Sequence, residues 1–297
     1  MLFLQVILPV FLIAFAGFVF ERRSGTDLQS LANSALYLFA PSLVFSSLLK
    51  HNVEGDVLGR LMLFMVLYTG LFCLLAYGIA RWRKFDSNTT RAFTLVTSMM
   101  NIGNFGLPLV FFAYGEEAIN ISVLVFVLFN LPLGTLAILI AQGQGVKWQE
   151  ALKNTLKIPI FYGMALAILC KVFDWQPPEY IIRSTDLLGQ ATIPIMLVLL
   201  GMQLSRTKVT QNWGFFSFAT VIRLLAGPLL AVVLTSLLGL DGLTRKIVIL
   251  QTSTPSAVLP LLYTLRFNTR PDLVSGTILL STLCSALTLT VLLYWLG

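Results

Sequence analysis

Two stretches decide the fold: Asn101-Ile-Gly-Asn-Phe-Gly-Leu-Pro108 and Gln251-Thr-Ser-Thr-Pro-Ser-Ala-Val-Leu-Pro260. Each sits inside an apolar run, 92–114 and 246–265, and about 20 such residues cross a bilayer core. Gly103, Gly106 and Pro108 in the first, and Pro255 and Pro260 in the second, are helix breakers at mid-membrane depth. Proline removes a backbone donor and displaces the carbonyl four residues back. Unsatisfied backbone in lipid costs several kcal/mol, so such breaks persist only inside protein or beside a water-filled cavity. Each break is expected to expose a half-helix N-terminus, whose free N–H groups and positive dipole end suit an anion.

Working outward, cuts at the charges give ten apolar runs: 2–20, 28–49, 61–80, 92–114, 118–141, 158–173, 180–204, 213–238, 246–265 and 273–295. Prolines recur between the halves at nearly one offset. Pro9 matches Pro159, Pro41 matches Pro194 and Pro108 matches Pro260, at offsets of 150, 153 and 152 residues. The ten runs therefore read as two copies of a five-span unit, 1–141 and 158–297, joined by a short linker, 142–157. A unit with an odd number of spans enters the bilayer upside down the second time, the inverted repeat of secondary transporters. The expected fold is an all-α polytopic membrane protein with ten transmembrane helices, in which broken helices 4 and 9 cross.

Composition agrees. The chain has 297 residues, 57% hydrophobic and 11% charged, against roughly a quarter charged in a soluble domain. The net charge of +7 comes from basic residues in short loops between apolar runs, which disfavours a nucleic-acid partner. Thirteen of the twenty Lys+Arg, Lys208 among them, lie on the side reached after odd-numbered spans, and six lie on the other. Positive-inside then puts both termini on the outer face. The first run is expected to remain a membrane helix and not a cleaved leader, because Arg22-Arg23 follow it. Cys73, Cys170 and Cys284 lie in apolar runs and His51 is the single histidine. No metal or cofactor is expected, and the cysteines read as buried small apolar residues.

The pattern N-x-x-N-x-G-x-P over Asn101–Pro108, paired with P-S-A-V-x-P over Pro255–Pro260, resembles the auxin efflux carrier family, including its short bacterial-type members. Ala40–Phe45, Leu199–Met202, and Arg223-Leu224 with Pro228 support it. The resemblance spans the chain, without the long cytoplasmic loop of many plant members. It implies a fold similar to sodium/proton antiporters and bile-acid symporters. Helices 1, 2, 6 and 7 would form a scaffold that dimerises, and helices 3–5 and 8–10 a transport domain. An organic anion, such as indole-3-acetate, malate or malonate, would bind at the crossing and move by an elevator-like shift.

All thirteen Asp and Glu, Glu54 included, fall in loops or at run ends. Intramembrane carboxylates are the usual proton relays and sodium ligands, so coupling through a buried acid is not expected, and neither is an intramembrane enzyme. Arg223 is the one charge well inside a run; it either binds carbonyls freed at a broken helix or draws the anion. Asn101 and Asn104 either hydrogen-bond a carboxylate or cap the half-helix. Asn130 faces the same choice, and the family resemblance tips it toward substrate. Ser253 and Ser256 give helix 9 a polar face, and Ser42, Ser46, Gln190 and Gln203 do so on the scaffold. The expected function is secondary transport of a small organic anion. The alternatives are a sodium-coupled bile-acid-like symporter and a channel or sensor, and a channel would need a continuous ring of polar pore groups.

Overall fold

Proline shapes the helices before any packing is considered. In the computed structural model, which describes residues 2–51, 55–143, 147–207 and 211–297, four helices widen into a π-turn that ends two residues before a proline. The turns are Phe3–Ile7 before Pro9, Ala35–Phe39 before Pro41, Ile102–Gly106 before Pro108 and Ile222–Ala226 before Pro228. In the first three, the residue after the turn donates its N–H five residues back: Leu8 to Phe3, Ala40 to Ala35, Leu107 to Ile102. The pyrrolidine ring pushes the carbonyl of residue i−4 aside, and the wider turn absorbs that displacement without ending the helix.

The chain is helical throughout, with no strand among the described residues beyond one isolated backbone bridge. Among the described residues, seven helices are long and apolar enough to span: α1 (Phe3–Ser24), α2 (Leu28–Lys50), α3 (Gly55–Trp82), α6 (Glu116–Gln142), α9 (Glu179–Ser205), α10 (Trp213–Leu237) and α13 (Pro271–Leu296). The runs at 92–114 and 246–265 are each broken. The first gives α4 (Ser87–Ser98) and α5 (Ile102–Tyr114), and the second gives α11 (Gly242–Thr252) and α12 (Leu259–Phe267). The run at 158–173 is shorter than expected. It forms α8 (Pro159–Val172), bent by 63° from a preceding short helix, α7 (Trp148–Leu156). Glu54, Lys208 and residues 144–146 of the linker lie outside the described residues.

Packing of α1 on α9 and of α2 on α8 is by backbone contact. A Cβ on Gly17 would stand 2.2 Å from the Val198 carbonyl oxygen, and one on Gly201 would stand 1.7 Å from that of Ala14. A Cβ on Gly163 in α8 would meet the Pro41 oxygen at 2.6 Å. In lipid, where burying apolar side chains gains little, such close approach is the main source of helix association. Cys170 is buried as expected, whereas Cys73 is half-buried and Cys284 is exposed. Cys284 sits on an outward face of α13, and an apolar run covered by lipid tolerates small apolar residues on every side.

Gly201→Ala should therefore lower the melting temperature of the purified protein in detergent by several degrees. Gly214→Ala, where an added Cβ meets nothing within 4 Å, should leave it unchanged or slightly raised, since alanine is the better helix former. Equal melting temperatures for the two variants would refute the backbone-contact account.

Candidate functional site

The two broken helices meet through extended backbone. Met99 leaves α4 with φ −91° and ψ 119°, and Pro255 biases Thr254 away from the helical region. The two stretches pair antiparallel at Met100 and Ser256. Asn101 donates its N–H to the Pro255 oxygen at 2.9 Å, and Ala257 donates to the Met99 oxygen at 2.9 Å. This corrects the position of the break. Pro255 lies in the extended stretch, but Gly103, Gly106 and Pro108 lie inside α5, and Pro260 lies in the first turn of α12. The first gap opens ahead of Gly103 because the π-turn at Ile102–Gly106 lets the helix absorb Pro108. Gly106 is required for contact: a Cβ there would meet Gln251 at 2.8 Å.

The carbonyl ends of α4 and α11 are closed by one side chain. Arg223, fully buried and set in the π-turn of α10, donates Nε to the Thr254 oxygen at 3.0 Å and Nη1 to the Thr97 oxygen at 3.2 Å. Its Nη2 reaches the Thr252 oxygen, which also accepts from the Tyr68 hydroxyl at 3.0 Å. The Phe72 ring lies 5.2 Å from the guanidinium carbon. Hydroxyls take other carbonyls: Thr97 bonds the Phe93 oxygen at 2.7 Å, Thr252 that of Val248 at 2.6 Å, and Ser253 that of Ile249 at 2.6 Å. Ser256 crosses between the helices, its Oγ donating to the Val96 oxygen at 2.6 Å while its N–H donates to Ser281 Oγ at 3.2 Å.

The amide ends face open space. A cavity of about 580 Å3 is lined by the start of α5 (Ile102, Gly103, Asn104) and of α12 (Val258, Leu259), together with Asn101 and Asn130. Arg223, Ser253 and Ser256 do not line it. The polar candidates thus separate into two sets, three asparagines at the cavity and Arg223, Ser253 and Ser256 bonded to carbonyls at the crossing. Asn101 is buried and its Nδ2 has no hydrogen-bond partner among the described residues. Asn130 donates Nδ2 to the Phe126 oxygen of its own helix at 2.7 Å. Asn104 donates Nδ2 to Gln203 Oε1 on α9 at 3.1 Å. Ser42, Ser46 and Gln190, expected to give a polar face beside the crossing, bond within their own helices, whereas Gln203 reaches Asn104 on another.

Sequence reasoning missed two charged residues that line the cavity, Asp27 and Arg206. Arg206 pairs with Glu21 at 2.6 Å and donates to the Thr26 oxygen at 3.0 Å. Glu21, at the end of α1 as its place at a run end implied, is buried at 7% exposure and held by the Arg206 guanidinium. Asp27 caps α2, and hydrogen bonds from the Ser30 hydroxyl and the Gln29 amide hold its carboxyl below the usual range. The three-residue spacing of Gln203 and Arg206, which puts both on one helical face, was the available signal. No cluster of three or more His, Cys, Asp or Glu that could hold a metal occurs among the described residues.

Residues 2–158 and 146–293 match the membrane transport protein family. The chain is 26% identical over 290 residues to an "Uncharacterized transporter" of Methanothermobacter thermautotrophicus, covering 96% of this chain and 95% of that one. It is 26% identical over 306 residues to a "Putative malonate transporter" of Rhizobium meliloti, covering 97% and 94%. Auxin efflux carrier component 1 of Arabidopsis thaliana is 24% identical over 149 residues, 50% of this chain and 24% of that one. The chain belongs to the auxin efflux carrier family. It is a multi-pass membrane transporter of the family's short type.

For this carrier, the contacts of Arg223 predict how it fails. Lysine keeps the charge but cannot reach three carbonyls with a planar fork. With hydrogen bonds to charged groups worth about 1.5–3 kcal/mol each, Arg223→Lys should lower the ligand-free melting temperature by several degrees. The apparent ligand affinity of the folded fraction, read by thermal shift, should stay near that of the unaltered protein. A stable lysine variant with weakened affinity would put Arg223 in the binding site.

Proposed function

We propose that this carrier transports a small organic anion, a carboxylate of the malonate or indole-3-acetate kind, by alternating access at the crossing of its broken helices. The observation that carries the proposal is the polarity of the crossing. Both carbonyl ends are sealed by Arg223 and hydroxyls, while both amide ends face the same cavity beside Asn101, Asn104 and Asn130. Half-helix N-termini with free N–H groups favour an anion. The unpartnered Nδ2 of Asn101 is a donor waiting for an acceptor, as buried amides are otherwise hydrogen-bonded.

In this proposal the chain crosses the cell membrane ten times as two inverted five-helix units. α1, α2, α8 and α9 form a scaffold that also carries a homodimer contact. α3–α6 and α10–α13 form the transport domain. Both termini lie outside, so the end of the cavity lined by Asp27 and Arg206 faces the cytoplasm. The glycine contacts of α1 with α9 and α2 with α8 support a rigid scaffold. The Asn104–Gln203 hydrogen bond joins the two bodies and has to break in an elevator shift. Ser253 and Ser256 keep the crossing intact and do not touch substrate.

Two measurements test the proposal in proteoliposomes. Asn101→Ala and Asn104→Ala should each cut carboxylate flux about tenfold or more, the loss expected when a hydrogen bond to a charged group is removed, with the melting temperature nearly unchanged. Unaltered flux in both variants would reduce the asparagines to structural roles. Flux should also persist when potassium replaces sodium on both sides, because the carboxylate that lines the cavity, Asp27, lies far from mid-membrane in sequence register. Flux abolished without sodium would favour a coupled symporter.

A further inference from the structure

The α7–α8 corner holds a second cleft that shares no lining residue with the cavity at the crossing. α7 (Trp148–Leu156) is bent by 63° from the apolar α8, so it runs along the membrane surface when α8 enters the bilayer. It is anchored through Ala151 and Thr155, both 3% exposed. Thr155 presses on α6 so closely that a Cβ on Gly134 would stand 2.4 Å from its Oγ1.

The outward side of α7 holds two adjacent rows at i, i+4 and i+8. One is apolar, Trp148, Leu152 and Leu156; the other is polar and basic, Gln149, Lys153 and Lys157. Trp148, Leu156 and Tyr162 of α8 are 60%, 45% and 57% exposed. A cleft of about 470 Å3 lies between these rows and Tyr162. Lys153 and Lys157 are like charges four residues apart, an arrangement that destabilises a helix unless a counter-charge sits between them. Neither enters an ion pair among the described residues.

We infer that this cleft binds the headgroup of an anionic phospholipid, with the phosphodiester between Lys153 and Lys157 and an acyl chain along Trp148, Leu156 and Tyr162. The charge complementarity favours a phosphodiester, and the neighbouring apolar row favours one that carries acyl chains. Basic segments at the membrane surface attract anionic lipids in this way. The occupied site would fix the linker corner against the bilayer, at the end of the proposed scaffold.

Native mass spectrometry of the full chain released from detergent tests this. Phosphatidylglycerol should be retained in preference to phosphatidylcholine with the same acyl chains. Retention should fall about fivefold for each lysine removed in Lys153→Ala and Lys157→Ala, and further in the double variant, from about 1 kcal/mol per surface cation. Lys153→Arg/Lys157→Arg should keep it, which separates lost charge from lost folding. Equal retention of both lipids would overturn the proposal, as would displacement of the lipid by inorganic phosphate alone. Protection of the corner by a second copy of the chain, with no lipid retained, would overturn it equally.

Discussion

Everything at the centre of this carrier depends on one cation placed against carbonyl oxygens. A buried arginine in a bilayer costs somewhere between about 3 and more than 10 kcal/mol, and among the described residues Arg223 has no carboxylate near it. Its partners are instead the carbonyls of Thr97, Thr252 and Thr254, at the C-terminal ends of two half-helices. Each helix C-terminus carries about half a negative charge, so two ends and one guanidinium come close to neutral. Neither half would be tolerable alone. The broken helices need the cation and the cation needs the broken helices.

From that arrangement the chemistry of the cavity follows. Once the carbonyl ends are neutralised, the amide ends of α5 and α12 retain their positive potential, and they border the cavity. A pair of unbroken helices would present neither end at mid-membrane depth. The antiparallel pairing of Met100 with Ser256 gives the extended backbone between the ends two hydrogen bonds, from Asn101 to Pro255 and from Ala257 to Met99. The hydroxyls of Thr97, Thr252, Ser253 and Ser256 complete the seal. This explains why a stretch so rich in Ser and Thr survives in an apolar setting.

Around the crossing, two kinds of contact coexist. Helices α1, α2, α8 and α9 touch backbone to backbone through glycine, a contact with little freedom to slide, because a shift of one residue brings a side chain where no space exists. The meeting of α5 and α9 joins the Asn104–Gln203 hydrogen bond, worth about 1 kcal/mol net, to a buried apolar cluster that includes Phe105, Leu109 and Val110 with Leu197 and Leu200. Asn104 and Arg223 each sit in a π-turn, displaced from regular helical register.

The amino-acid sequence by itself determined the membrane as solvent, the broken helices and the isolation of Arg223 from any acid, because hydropathy, proline and charge act locally and leave a mark in the chain. It also marked the asparagines as polar groups at membrane depth. Three things were decided only by the tertiary structure. The breaks fall at Met99–Asn101 and around Pro255, ahead of most of the glycines and prolines, because a π-turn lets the helix absorb Pro108. Ser253 and Ser256 turn to carbonyls while the asparagines line the cavity, and their residue types alone allowed either role. Gln203 and Arg206 reach the site from a helix about a hundred residues away from Asn104. No local rule reports such a pairing: it exists only because glycine brings α1 and α9 into backbone contact, and so fixes which face of α9 looks onto the crossing.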